Sequence, residues 1–195
     1  LEIVFFSFSN TAVNDGLDRI TQRLGLPKNN FRYFKTLHSM AFSLLGMDSK
    51  QIISYSLQKQ FAKENDLKLS AIDFRTGTIK YQTPDSILLS QIDSARLQNK
   101  SVREYFIENH FEDIARAEEI ALRYQRFKLA NGVIDFTDMI ILANQQELDT
   151  PHFQYMFIDE AQDLSRQQWK FVEKLSKNAD HIVVVGDERQ AIAEF

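Results

Sequence analysis

The sequence predicts an α/β protein built on a parallel sheet, and three short apolar runs support that prediction. They are residues 1–8 (LEIVFFSF), 155–158 (YMFI) and 181–185 (HIVVV). Each run is too short for a stable helix and is apolar almost throughout, which is typical of strands buried on both faces of a parallel sheet. Helical patterns separate the runs, and strands that alternate with helices favour parallel pairing.

Length and composition indicate an ordinary globular protein. The 195 residues are enough for one substantial core, or for a core domain with a subdomain. Hydrophobic residues make up 44% and charged residues 26%, which is usual for globular chains. The absence of cysteine excludes a disulfide scaffold and a thiolate metal site, and it favours an intracellular, cytoplasmic protein.

Charge and hydropathy restrict the possible partners. The formal net charge is −4, so any contact with nucleic acid must come from a local surface. No apolar run approaches the ~20 residues of a membrane span, and the start lacks the pattern of a secretory signal, so we expect no membrane partner. The chain opens at Leu1 inside an apolar run, and we expect it to be a piece of a longer protein.

The first 47 residues predict two strands and two helices. Polar residues 9–11 can cap a helix over Ala12–Leu24, which Gly25 ends. A second strand is predicted over Phe31–Lys35, and a second helix over Met40–Leu45.

Residues 48–132 have a mostly helical sequence pattern. We interpret them as an inserted helical subdomain between residues 1–47 and 133–195. Thr83 and Pro84 give one of its helices a cap and a first turn. Residues 71–81 form the least helical connection. The predicted helices are Gln51–Asn65, Pro84–Gln98, Val102–Asn109 and Phe111–Ala130.

Two helices are predicted after the insertion. The first, Asp135–Gln146, is capped by Asp135 or Thr137, and Asp138 suits the positive end of its dipole. The second, Ser165–Lys177, begins with a capping box of Ser165 and Gln168. Its residues expected to face the core are Trp169, Val172 and Leu175.

Two adjacent carboxylates follow the predicted strand at residues 155–158. Asp159 and Glu160 stand at the carboxyl end of that strand, where open α/β sheets bind ligands. In nucleotide-hydrolysing sheets the first acid holds Mg²⁺ and the second orients and deprotonates the attacking water. A strand that simply ends in solvent would give the same pattern, so this stretch alone leaves both interpretations open.

Four short motifs occur in order along the chain. They are residues 8–12 (FSNTA), 36–39 (TLHS), 159–163 (DEAQD) and 185–192 (VGDERQAI). The motifs resemble those of the N-terminal motor half of UvrD/Rep-type superfamily 1 DNA helicases: the first two resemble motifs Ia and Ib, the third matches motif II, the Walker B element, and the fourth matches motif III. The resemblance implies an incomplete parallel-sheet P-loop NTPase (RecA-like) core, with residues 48–132 as a helical insertion resembling subdomain 1B.

The resemblance also implies roles for individual residues in ATP hydrolysis. Asp159 would help to hold Mg²⁺ and Glu160 would be the general base toward water. Gln190 would contact the γ-phosphate of ATP, a task that suits an amide because it donates and accepts hydrogen bonds without changing charge. The residues expected in the nucleotide-sensing network that joins the motifs are Gln162, Asp163, Gly186 and Asp187.

Four further residues fall where the family contacts single-stranded DNA: Phe8, Asn10, His38 and Phe195. Aromatic faces stack on bases for ~1–3 kcal/mol each without reading the sequence. The alternative for Phe8 is a core residue at the end of its strand, and the alternative for His38 is a structural histidine.

The chain departs from the family pattern in three places. Thr11 replaces the common basic residue of motif Ia, and Ala193 replaces a common tyrosine. No G-x-x-x-x-G-K-[ST] loop occurs in the 195 residues, so by themselves we expect them neither to bind ATP well nor to hydrolyse it. The longer parent would be an ATP-dependent DNA helicase or translocase. The alternatives are a degenerate module that binds DNA or a nuclease partner, and a different nucleotide-binding or phospho-acceptor α/β domain.

Overall fold

The computed structural model describes residues 2–7, 10–72 and 79–187, with the side chains of residues 71, 72 and 79–81 left out. The strands are β1 (Ile3–Ser7), β2 (Tyr33–Thr36), β3 (Ala71–Ile72), β4 (Ile79–Tyr81), β5 (Phe153–Ile158) and β6 (Ala179–Val184). The α-helices are α1 (Asn10–Leu24), α2 (Leu37–Leu44), α3 (Tyr55–Glu64), α4 (Pro84–Leu97), α5 (Val102–Glu108), α6 (Ile114–Asn131), α7 (Phe136–Gln145) and α8 (Arg166–Ser176).

Four strands form one parallel sheet in the order β2-β1-β5-β6. The predicted α/β class and parallel pairing are therefore confirmed. The central pair is the most deeply buried part of the sheet, since Val4, Phe6, Met156 and Ile158 are at most 1% exposed.

Helix α8 covers one face of this sheet with an amphipathic surface. Its predicted capping box is confirmed, because the Ser165 hydroxyl accepts from the Gln168 N–H and the Gln168 side chain accepts from the Ser165 N–H. Val172 and Leu175 are buried as predicted. Trp169 remains half-buried, and Phe171, with no exposed surface, takes the central place instead.

Two predicted segments divide differently in the structure. Strand β2 begins at Tyr33, later than predicted, because Lys28–Phe31 form a 3₁₀ helix that buries Phe31 against Phe34, with ring centroids 5.3 Å apart. The helix predicted over residues 51–65 is α3 alone, Tyr55–Glu64; a capped 3₁₀ turn over Ser49–Gln51 precedes it, and Ser54 starts α3 by accepting a hydrogen bond from the Leu57 N–H.

The strand predicted at residues 181–185 exists as β6, but its predicted burial is wrong. Within the described residues β6 pairs only with β5 and forms the edge of the sheet. Its apolar side chains Ile182, Val183 and Val184 are 39–51% exposed, and Val185 beyond it is 54% exposed. The β-branched run therefore specifies a strand, whereas burial depends on what covers it.

The chain divides into two compact units, residues 1–47 with 138–195 and residues 48–137. The second unit ends at residue 137, whereas the sequence analysis places the boundary after residue 132. Its core lies among α3, α4, α5 and α6 and includes Phe61, Ile92, Phe106, Ala117 and Ile120. Its least helical predicted stretch contains the antiparallel pair of β3 and β4.

A cluster of charged side chains ties α4 and α6 to the segment before α7. The Asp135 carboxylate accepts from Arg96 at 2.9 and 3.3 Å and from Lys128 at 2.5 Å, and Lys128 is only 2% exposed. Arg96 also donates to Asp93 at 3.0 Å, and Thr137 donates to Asp93 at 2.9 Å. Burial and the nearby Asp135 raise the pKa of Asp93.

Asp135 itself has a pKa lowered to about 2. Burial acts to raise this pKa, but the hydrogen bonds and charges of Arg96 and Lys128 outweigh it. The carboxylate is therefore ionised in the folded protein at any ordinary pH, and the buried lysine keeps its counter-charge.

The two ends of the helical unit lie side by side. Ile52 and Ile134 form a parallel bridge, in which the Ile53 N–H donates to the Ile134 carbonyl and the Ile134 N–H donates to the Gln51 carbonyl, each at 2.8 Å. No helix in the described part of the chain is both long enough and apolar enough to span a membrane.

Candidate functional site

The candidate site lies at the carboxyl edge of the sheet, where strand order reverses. From β1 the chain passes through α1 to β2 on one side, and from β5 it passes through α8 to β6 on the other side. Right-handed connections in opposite directions place α1 and α8 on opposite faces and open a crevice between β1 and β5. Asp159 and Glu160 follow β5 directly, so both acids lie at this crevice.

The backbone holds the acid pair in a sharp turn. The Asp159 N–H donates to the Phe6 carbonyl at 2.9 Å, which keeps Asp159 attached to β1 beyond the end of β5. Glu160 adopts a left-handed φ of 51° and begins a 3₁₀ helix over Ala161–Asp163. A non-glycine residue rarely adopts this conformation, and such residues concentrate at functional sites. Asp159 is half-buried and Glu160 is exposed.

The Gln162 side chain connects the acid pair to the segment after β6. Its Nε2 donates to Glu160 Oε2 at 2.6 Å, and its Oε1 accepts from the Asp187 N–H at 3.1 Å. The predicted motif II and motif III residues therefore meet at two neighbouring strand ends. Two backbone hydrogen bonds reinforce this contact: Val185 N–H to Ile158 carbonyl at 2.8 Å, and Ala161 N–H to Val185 carbonyl at 3.0 Å.

Gly186 is required by the closeness of this approach. A Cβ at this position would lie 2.6 Å from Gln162 Oε1 and 3.2 Å from the Gln162 backbone nitrogen. A methyl group at this position would therefore displace the end of the Gln162 side chain, and the backbone of Ala161 and Gln162 would have to give slightly. The glycine of the motif thus has a steric role here.

Two buried polar atoms at this edge lack a hydrogen-bond partner within the described part of the chain. They are the Ser7 hydroxyl at the end of β1 and Oδ1 of Asp163. Ser7 is only 3% exposed and pairs in register with Thr36. Buried polar atoms without partners are rare and need an explanation. The sequence analysis did not single out Ser7, although a hydroxyl at the end of an apolar strand was a usable signal.

Two predicted DNA-contacting residues follow the same edge. Asn10 is the first residue of α1, after β1, and His38 is the second residue of α2, after β2. Thr36 caps α2 by accepting from the Ser39 N–H at 3.2 Å. Burial lowers the pKa of His38, so its imidazole is neutral at pH 7.

The remaining predicted site residues, Phe8, Gln190 and Phe195, lie outside the described residues, and so do Glu188, Arg189 and residues 191–194 of motif III. The carboxyl edge therefore brings together five predicted residues: Asp159, Glu160, Gln162, Gly186 and Asp187. Asp163 belongs to the same turn.

Comparison with known protein families distinguishes between the remaining alternatives. The family model described as the UvrD/REP helicase N-terminal domain matches residues 1–195. The chain belongs to this family. Its sheet of four parallel strands, with helices between them, is consistent with the P-loop NTPase-like core of a UvrD domain.

Individual relatives agree with the family assignment. The chain is 26% identical over 210 residues to an ATP-dependent DNA helicase PcrA of Leuconostoc citreum, and 25% identical over 212 residues to PcrA of Bacillus subtilis. It is 23% identical over 203 residues to DNA helicase II of Escherichia coli. Each match covers 97% of this chain but only 27% of the relative. The chain thus spans about a quarter of the length of these relatives.

Proposed function

We propose that the protein to which this chain belongs hydrolyses ATP to move along single-stranded DNA and to unwind duplex DNA. The observation that carries the proposal is the acid pair at the crevice between β1 and β5, linked through Gln162 to the segment after β6. Membership of the UvrD/REP family supports the same activity, and so do relatives named as ATP-dependent DNA helicases.

Asp159 is the residue proposed to hold Mg²⁺. Within the described residues no three histidine, aspartate or glutamate side chains lie close enough together to form a metal site. A single carboxylate still fits Mg²⁺, because this ion is usually bound by one or two carboxylates together with waters and substrate phosphates. The Ser7 hydroxyl and the Asp163 oxygen, which have no hydrogen-bond partner among the described residues, give the same edge spare hydrogen-bonding capacity for such waters. When bound, the ion would neutralise charge on the ATP phosphates.

Glu160 is proposed as the general base that orients and deprotonates the attacking water. A general base must come within hydrogen-bond reach of that water, and the left-handed turn at Glu160 exposes its carboxylate at the crevice. Gln190, shortly after Asp187 in the sequence, is proposed to contact the γ-phosphate. Asp163, Gly186 and Asp187 complete the proposed network.

The DNA strand is proposed to pass over Phe8, Asn10, His38 and Phe195. The neutral imidazole of His38 suits a hydrogen bond with a base or a sugar better than an ion pair with a phosphate. Closure and reopening of the nucleotide cleft would then move the strand past these side chains.

The proposed activity requires parts that these 195 residues do not contain. A phosphate-binding G-x-x-x-x-G-K-[ST] loop is absent from them, and we propose that the longer protein supplies it. We also propose that residues 48–132 form an insertion resembling subdomain 1B, and that work on chromosomal DNA takes place in the cytoplasm. The lack of cysteine is consistent with this location.

The test is a Glu160→Gln substitution in the full-length protein. We expect the variant to bind ATP and single-stranded DNA while its DNA-stimulated ATP turnover falls by at least about 100-fold, the lower end for losing a general base. Glu147→Gln, at an exposed loop glutamate, is the matched control and should retain full turnover. Turnover by Glu160→Gln close to the wild-type rate would remove Glu160 from its role.

A further inference from the structure

We infer that Gln162 is a positioning residue: it fixes the Glu160 carboxylate against residues 185–187, so that movement of this segment moves the carboxylate. The inference rests on the proposed function, since it takes Glu160 as the general base. It adds a residue that acts through its hydrogen bond to Glu160.

The Gln162 carboxamide donates one hydrogen bond and accepts another. Its nitrogen donates to Glu160 Oε2 at 2.6 Å, and its oxygen accepts from the Asp187 N–H at 3.1 Å. Only one orientation of the amide satisfies both partners, because the reverse would face a donor with a donor and an oxygen with a carboxylate. A glutamate could accept from Asp187 but could not donate to Glu160. An aliphatic side chain could do neither.

The packing around Gln162 leaves the amide little room to move on its own. Gly186 approaches so closely that even a methyl group would lie 2.6 Å from Gln162 Oε1. At the base of the segment, Val185 is fixed to Ile158 and Ala161 through backbone hydrogen bonds. A displacement at residues 186–187 must therefore displace the amide, and with it the partner oxygen of Glu160.

The length of the hydrogen bond to Glu160 explains why the position of the Gln162 amide matters for ATP hydrolysis. A 2.6 Å hydrogen bond to a carboxylate is of the short, charge-assisted kind that fixes orientation as well as position. Misplacing a reacting group by about 1 Å can cost about 100-fold in rate. Residues 185–187 lead in sequence to Gln190, the proposed contact to the γ-phosphate. Gln162 therefore provides a physical route from that end of the site to the base.

A merely structural role predicts a different pattern of effects. Glu160 is exposed and Gln162 is half-buried, and a hydrogen bond in such a setting adds little to folding stability. Loss of Gln162 should therefore lower the rate of turnover far more than the stability of the protein.

The kinetic test compares Gln162→Ala, Gln162→Met and Gln162→Glu in the full-length protein, with Gln154→Ala at an exposed site on β5 as the control. For the three Gln162 variants we expect kcat for ATP hydrolysis to fall about 10- to 100-fold, with KM for ATP changed less than about twofold. The unfolding temperature should stay close to that of the wild type. A kcat within twofold of the wild type in Gln162→Ala or Gln162→Met would overturn the inference.

A second test examines the contact without ATP turnover. Gly186→Ala should lower the unfolding temperature slightly, because its methyl group must displace Gln162 Oε1, the end of a flexible side chain. In a Gln162→Ala background that oxygen is gone, so this part of the loss should disappear and only the part due to the 3.2 and 3.3 Å contacts with backbone nitrogens should remain. An equal loss in both backgrounds would show that the side chains do not meet, and would overturn the inference.

A failure of this inference can be distinguished from a failure of the proposed function. Lack of ATP turnover in the wild-type full-length protein would refute the proposed function, and the Gly186–Gln162 cycle would still decide the contact. Normal turnover in Gln162→Met, together with loss of turnover in Glu160→Gln, would keep the base and remove its positioning residue.

Discussion

Asp135→Asn tests the charged cluster of the helical unit most directly. The substitution keeps the shape of the side chain but removes the charge that faces Arg96 and the almost fully buried Lys128. The pKa of Asp135 falls from its ordinary 3.8 to about 2 on folding. Since a difference of one in pKa corresponds to about 1.4 kcal/mol, the charge contributes roughly 2–3 kcal/mol to the stability of the helical unit at neutral pH.

The pH dependence of this contribution has a definite sign. Because the pKa of Asp135 is lower in the folded than in the unfolded state, its contribution is complete above pH about 4 and is lost as the pH falls toward 2. Expressed as an equilibrium constant, the difference between wild type and Asp135→Asn should be on the order of tens-fold at pH 6 and should shrink to a few-fold as the pH approaches 2.

Hydrogen exchange followed by mass spectrometry can measure this effect in each unit. Amides of α4 and α6 should exchange on the order of tens of times faster in Asp135→Asn than in the wild type at pH 6. Amides of α8, which belongs to the other unit, serve as an internal reference. Asp113→Asn, at an exposed aspartate without a side-chain cap hydrogen bond, is the matched control. Equal exchange of α6 in Asp135→Asn and Asp113→Asn would refute the stabilising role of the cluster.

Three further substitutions test the packing and capping of individual elements. Phe106→Ala should destabilise the helical unit by about 3–5 kcal/mol, because the ring is fully buried in its core; urea denaturation followed by circular dichroism measures the loss. Ser165→Ala should cost about 1 kcal/mol by removing one half of the α8 capping box, and the fluorescence of Trp169 on that helix reports it. Gly132→Ala should cost about 1 kcal/mol, because this residue ends α6 with a φ of 63°; exchange of the last α6 amides measures it.

Each of these substitutions has its own control. Ile107→Ala, next to Phe106 but 57% exposed, should cost under about 1 kcal/mol, and an equal loss would contradict the assigned core. Ser90→Ala, at an exposed helix serine, should leave stability nearly unchanged; if Ser165→Ala does the same, the capping box contributes nothing. Gly132→Asn should cost less than Gly132→Ala, since asparagine tolerates a left-handed backbone.

Local sequence patterns were sufficient to predict the elements that depend on nearby residues. The capping box of Ser165 and Gln168 and the strand before Asp159 each follow from a few consecutive residues. The exposure of β6 did not follow from its sequence. An apolar run such as 181–185 favours burial, but it does not show which part of the protein covers the strand.

Contacts between distant residues account for most of what the sequence analysis missed. Arg96 and Asp135 lie 39 residues apart, and no periodicity relates them. Gln162 was expected to belong to a network, yet its partners depend on two strands ending side by side and on the clearance that Gly186 provides. Phe31 likewise fits a strand pattern, but its burial against Phe34 favours a 3₁₀ turn.

The parallel bridge between Ile52 and Ile134 explains how a long segment can be inserted into the chain without disturbing the sheet. A disordered loop of about 80 residues would cost the polypeptide roughly 2–3 kcal/mol more in closure entropy than a short turn does. The bridge holds the two ends of the inserted segment together. The folding of that segment therefore offsets the closure entropy, and the two flanking parts of the chain are held as close together as a short connection would hold them. Replacing everything between the two isoleucines with a linker of about a dozen residues, the length that two parallel segments need for their connection, should therefore leave β1, β2, β5 and β6 able to pair. Insertions of very different length could be accommodated at the same point.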